Sequence, residues 1–135
     1  INYTGYDAPS VQTLLAFFDS HQDIESSMRY WKTHRGLTVP SLFVALHYCC
    51  SQQSSTDADA FFDQASSGEN LTRTSPIFAL RRRLLDNIQA KGKLPPYEIA
   101  ALIIKAWNAY RTGKPLQVIK WRTSGDAAES FPVIQ

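Results

Sequence analysis

Large apolar side chains recur along this chain every three or four residues, the period of one helix face rather than the alternation of a strand. The run from Leu94 to Arg122 shows it most clearly. There Ile99, Leu102, Ile103, Ala106, Trp107 and Tyr110 fall on one face between Pro95-Pro96 and Gly113. Proline is harmless where a helix begins, because first-turn N–H groups have no intrahelical acceptor, and glycine takes the left-handed cap where a helix ends. Glu98 in the first turn and Arg111 in the last complement the helix dipole. The spacing predicts a helix over 95–111. Beyond it, Leu116-Gln117-Val118-Ile119-Lys120-Trp121-Arg122 turns strand-like in composition, which predicts a short extended segment packed back over that helix.

The same periodicity predicts the elements upstream. Val11, Leu14, Leu15 and Phe18 mark a helix ending near His21, and Asp23 caps a second through Ile24, Met28 and Trp31 to Gly36. Pro40 opens a third, with Leu42, Phe43, Leu46, Cys49 and Cys50 as its buried stripe. Thr56 is the expected cap of a fourth, whose early acids suit a helix start and which Gly68 ends. Ser75-Pro76 opens a fifth: Ile77, Leu80, Leu84 and Ile88 face inward, Arg82 and Arg83 outward, and Gly92 closes it. The expectation is an all-α fold, a compact bundle of five or six helices with a short extended or β segment at the C-terminus. Its core should contain Leu14, Phe18, Trp31, Leu42, Phe43, Leu46, Phe61, Leu80, Leu84, Ile99, Leu102, Ile103 and Trp107.

Length and composition narrow this only a little. A chain of 135 residues is a single domain's worth, large enough to fold without a metal or disulfide staple. It begins at Ile1 rather than Met, so residues 1–135 are expected to be a C-terminal domain excised from a longer protein. The longest apolar runs are broken by His47 and Lys105 well short of the roughly 20 residues that a bilayer span needs, so no membrane crossing is expected. Adjacent Cys49 and Cys50 diverge by about 100° on a helix, which disfavours a bridge between them and suggests free thiols in a reducing cytoplasm.

Charge changes the picture more. The net charge of +2 conceals an acidic first half and a basic second half: residues 1–70 hold three Lys/Arg against eight Asp/Glu, residues 71–135 eleven against four. A basic half in a near-neutral chain suggests a polyanionic partner. Arg73, Arg81, Arg82, Arg83, Lys91 and Lys93 form one cluster; Lys105, Arg111, Lys114, Lys120 and Arg122 follow, with Trp107 on the apolar stripe and Trp121 between two cations.

Catalytic chemistry has less behind it. His21, His34 and His47 pair with no cysteine or acid at zinc-ligand spacing beyond the lone His47/Cys50 pair, and no phosphate loop or nucleophile elbow occurs. Asp57, Asp59 and Asp63 are explained by capping and solvent. The competing enzyme class is a nuclease in which Asp57, Asp59 and Glu98 converge on Mg²⁺. The helices around Gly36, from Asp23 to Cys50, also permit a helix-turn-helix, which would present Ser41, Val44, Ala45 and His47 outward. No enzyme activity, cofactor or metal is expected.

Ser75-Pro76-Ile77-Phe78-Ala79-Leu80-Arg81-Arg82-Arg83-Leu84-Leu85, followed by Ile103-Ile104-Lys105-Ala106-Trp107-Asn108-Ala109-Tyr110-Arg111-Thr112-Gly113-Lys114, resembles the C-terminal helical region of phage, prophage and plasmid proteins of the ParB/sulfiredoxin-like superfamily. The shared pattern is a Pro-apolar-x-Ala-Leu-Arg-x-Arg-Leu helix, a Lys/Arg-Ala-Trp-Asn-Ala helix and a basic strand. In such proteins an N-terminal ParB-like domain carries a Gly-Gln-His-Arg signature and contacts nucleotide or DNA. That signature is absent here, so the resemblance implies an accessory helical domain separated from its ParB-like partner domain and carries no nucleotide chemistry onto these residues. The resulting expectation is a non-enzymatic DNA-binding domain of a mobile-element protein, contacting phosphates through Arg81, Arg82, Arg83, Lys91, Lys93, Lys120 and Arg122. The alternative is a protein-interaction or oligomerisation domain, with a second copy as partner.

Overall fold

Capping chemistry decides where the helices of this chain start and stop. The computed structural model describes residues 40–122, 125 and 128–135. In it four helices follow one another: α1 (Pro40–Gln53), α2 (Ser55–Ser67), α3 (Pro76–Gln89) and α4 (Pro96–Thr112). All the regular secondary structure among the described residues is helical, and they contain no strand. The two helices predicted before Pro40, and with them Leu14, Phe18 and Trp31, lie outside the described residues.

Most ends follow the sequence. Ser75 caps α3 by accepting from the Ile77 N–H at 3.2 Å, with Pro76 in the first turn. α4 starts at Pro96 after Pro95 and stops at Gly113, whose φ of 70° is left-handed. Gly68 ends α2 in the same way at φ 73°. Two ends differ from expectation. The cap of α2 is Ser54, not Thr56: its hydroxyl accepts from the Asp57 N–H at 3.2 Å, which starts the helix two residues earlier. Gly92 does not close α3. The helix ends at Gln89 with an extended Ala90, whose N–H donates to Asn87 O at 3.2 Å, and Lys93 Nζ donates to the carbonyls of Asn87, at 2.9 Å, and Ile88.

Among the described residues the helices bury one main core and a small second cluster of Val44 and Tyr48 on α1, with α3 packed chiefly on α4 and α1 on α2. Trp107 is fully buried at the centre of the main core. The Phe61 ring stands edge-on to Trp107 at 5.5 Å between centroids and to Phe62 at 5.1 Å, and Phe62 meets Phe43 at 5.0 Å, so aromatic edge-to-face contacts run from α4 through α2 to α1. Leu42, Phe43, Leu46, Phe61, Leu80, Leu84, Leu102, Ile103 and Trp107 are buried as expected, while Ile99 is only half-buried at the core's edge. Ile88 is a correction: it is 55% exposed, and the inward position is Asn87. A period of 3.6 carries the stripe from Leu80 and Leu84 to position 87, and Asn87 is satisfied there because its Oδ1 accepts from the Leu94 N–H at 2.8 Å.

Beyond Gly113 the strand-like composition of 116–122 forms no ladder among the described residues. Its backbone groups find other partners. The Leu116 N–H donates to Thr74 O at 2.9 Å, the Lys120 carbonyl accepts from Lys105 Nζ, and the Arg122 N–H donates to Glu129 Oε2 at 2.9 Å. Ile119 and Phe131 are nonetheless buried against the helices. No described helix is long and apolar enough to cross a membrane.

Candidate functional site

Three consecutive arginines on α3 point in three directions, because successive residues of a helix diverge by about 100°. Arg81 turns inward. Its Nη1 donates to the carbonyls of Ala65 at 2.5 Å and Ser66 at 3.0 Å, so it closes the C-terminal end of α2. The guanidinium also fills the space beside Gly68, where an added Cβ would lie 2.7 Å from Arg81 Nε. Lys93, another expected phosphate contact, is likewise engaged as the cap of α3.

Of the remaining expected contacts, Arg83, Lys120 and Arg122 are brought together. They line one cleft of about 230 Å³ with Glu98 and Trp121, over an apolar floor of Leu94, Leu102 and Ile119. Arg83 also borders a second cleft of about 270 Å³ with Arg82, Asp86 and the chain from Gln117 to Ile119. Arg82, Arg83, Lys120 and Arg122 therefore share one side of the molecule, and none of their side chains forms an ion pair among the described residues. Lys91 is exposed in the turn after α3 and borders neither cleft. The other basic residues of the second half divide between structure and solvent. Arg111 is bound to Asp57 at 2.5 Å and lies over the Trp107 ring, and Lys105 donates to Glu129 Oε1 at 2.8 Å.

Helix and chain hold the cleft from opposite sides. Arg83 is fixed by α3 and Glu98 by the first turn of α4, whereas Lys120 and Arg122 sit on the segment anchored by Ile119. Trp121 is clamped between them. Its indole N–H donates to Ser130 O at 3.2 Å, and its ring meets Tyr97 and Phe131 edge-on at 6.1 and 5.6 Å. Glu129 ties the segment down through the Arg122 N–H and Lys105. Partial burial pushes its carboxyl upward, but those two hydrogen bonds and the charges of Lys105 and Arg122 outweigh it and hold the group below its ordinary range.

The other candidates come apart. Asp57 faces Arg111 and Asp59 faces His47 at 3.0 Å, while Glu98 lies at the opposite end of α4 from Arg111, roughly 20 Å away at 1.5 Å per residue. The proposed Mg²⁺ triad therefore does not converge, and no group of three His, Cys, Asp or Glu that suits a metal occurs among the described residues. The recognition helix fails on exposure: Val44, Ala45 and His47 are all buried, with His47 stacked on Phe43 and edge-on to Phe62. Cys49 and Cys50 are free thiols, and burial pushes Cys49 up to about 11 and Cys50 well above its ordinary value, which keeps both protonated and unreactive at neutral pH.

Two participants were not visible as such in the sequence. Glu98 carries the signature of a dipole-complementing first-turn acid, and nothing local places it opposite Arg83. Glu129 lies in a polar tail, and only its contact with Lys105 reveals its role. No protein-family model matches this chain, and neither a curated protein nor a solved structure is detectably similar to it.

Proposed function

We propose that this chain is a non-catalytic nucleic-acid-binding module that holds the phosphate backbone of DNA against the side formed by Arg82, Arg83, Lys120 and Arg122. One observation supports it most. Residues nearly forty positions apart place three cationic heads around one cleft without pairing them to acids, an arrangement whose self-repulsion an anionic ligand relieves. The resemblance of the α3 and α4 motifs to ParB-like mobile-element proteins favours DNA among polyanions. Arg81 and Lys93 leave the expected contact set because helix carbonyls already hold them.

Fluorescence anisotropy with a labelled duplex tests this. Each phosphate contacted should contribute about −0.9 to the slope of log K against log[salt], so three contacts give roughly −2.7. No complex with the duplex or with a single strand of equal length at tens of micromolar protein in about 50 mM salt would overturn it. A second reading rests on Leu85 and Ile88, exposed at 51% and 55% one turn apart on α3. Such an apolar pair suits a protein-interaction or oligomerisation surface, and a concentration-dependent dimer in light scattering that Leu85→Glu abolishes would favour it.

A further inference from the structure

The cationic cleft also contains a carboxylate, which a receptor for phosphate alone would not keep. Glu98 lines the same cleft as Arg83, Lys120 and Arg122, yet it forms no ion pair with them among the described residues. Its position is fixed by the first turn of α4, where its N–H donates to Pro95 O at 3.0 Å. Opposite charges within about 230 Å³ that stay unpaired leave both kinds of group open to a ligand. A phosphate by itself is repelled by Glu98 at this range. A ligand with an anionic group and, a few ångströms away, an N–H donor satisfies both.

Size and shape narrow the ligand. The cleft has room for one planar base and none for a paired duplex, whose bases are stacked and turned inward. The rim is cationic, where a strand's phosphates would run. The interior offers the apolar surface of Leu102 and Ile119 and the indole of Trp121, which its hydrogen bond to Ser130 and its contacts with the Tyr97 and Phe131 rings help to hold in place. A cationic track beside an aromatic wall is how single strands are held, and a glutamate accepting from an exocyclic amine is how cytosine is distinguished from thymine.

Building on the phosphate-binding reading above, we infer that the cleft takes one unpaired, amino-bearing base of a single-stranded nucleic acid. Arg83, Lys120 and Arg122 hold the flanking phosphates, Glu98 accepts from the base amine, and Trp121 forms the wall of the base site.

Anisotropy titrations of the full chain with labelled oligo(dC), oligo(dT) and a duplex of equal length, at low salt and pH 8, decide it. Both single strands should bind more tightly than the duplex, and oligo(dC) roughly fivefold more tightly than oligo(dT), the scale of one net hydrogen bond. Glu98→Leu should reduce the oligo(dC) preference to near unity without weakening oligo(dT). Lys120→Glu should weaken both strands and leave their ratio unchanged, which shows that the ratio reports on the base and not on the backbone. Equal binding of oligo(dC) and oligo(dT) by the unaltered protein, or a duplex bound as tightly as the strands, overturns the single-strand inference while leaving backbone binding in place. If no oligonucleotide binds in a salt-dependent way, both the inference and the function beneath it fail.

Discussion

Arg81 lies beside two arginines in sequence and does a different job. Charge-assisted hydrogen bonds to two backbone carbonyls contribute about 1.5–3 kcal/mol, so Arg81→Ala should lower unfolding free energy by about that much, measured by chemical denaturation. Its DNA affinity, taken where the variant is folded, should not change; a loss of affinity equal to that of Arg83→Ala would return Arg81 to the binding face. Gly68→Ala should destabilise by about 1–2 kcal/mol from the left-handed backbone and further from the clash with the same guanidinium. Trp107 poses the opposite case, because it is fully buried and its indole N–H has no hydrogen-bond partner among the described residues. Trp107→Ala should cost about 3–5 kcal/mol, whereas Trp107→Phe should cost less than half of that, since the smaller ring opens some space but removes an unsatisfied donor. The burial of Trp107 was legible from its place on the apolar stripe. The inward turn of Arg81 was not, because it depends on where the end of α2 comes to rest.

At the level of elements, most ends marked by local chemistry were legible, although Thr56 was expected to cap α2 and Ser54 does. Ser75-Pro76, Pro95-Pro96, Gly68 and Gly113 each act within a few residues of the end they mark, so no tertiary information is needed. Gly92 misled because a lysine one residue later satisfies the same carbonyls from outside the helix. The strand-like run 116–122 misled for a related reason: β-propensity describes a fit to a neighbouring strand, and the described residues provide none. What fastens that run is the contact of Glu129 with Lys105 and the Arg122 N–H, aided by Asn108, which donates to Val133 O and accepts from the Gln135 N–H. A carboxyl held below its ordinary 4.5 in the folded chain stabilises the fold fully above that value and loses the contribution as pH falls through the folded value. The docking of residues 128–135 should therefore weaken only below about pH 4.5, seen as a loss of amide protection near Phe131 and a change in Trp121 fluorescence. In Glu129→Gln that acid step should disappear. The same step in both proteins would mean that another group holds the tail.

For the whole molecule, the sequence shows that the second half is basic but not which cations act together, since a charge count treats Lys114 and Lys120 alike. The fold separates them. Lys114 follows the C-terminal cap of α4, whereas Lys120 lines the cleft beside Leu102, eleven residues back from Gly113 and thus about 16 Å away along the helix. That distance exceeds the screening length of about 8 Å at physiological salt, so a charge at one place is barely felt at the other. Lys114→Glu and Lys120→Glu alter the net charge by the same amount. If binding followed overall charge, both would weaken DNA affinity equally and both would flatten the salt dependence. If binding follows the cleft, Lys120→Glu should lower affinity at least tenfold at about 0.1 M salt and remove close to one unit from the slope of log K against log[salt], while Lys114→Glu changes affinity less than twofold and leaves the slope alone. Paired titrations of the two variants, with thermal melts confirming that each is folded, therefore measure whether the fold has turned a diffuse basic half into a localised site.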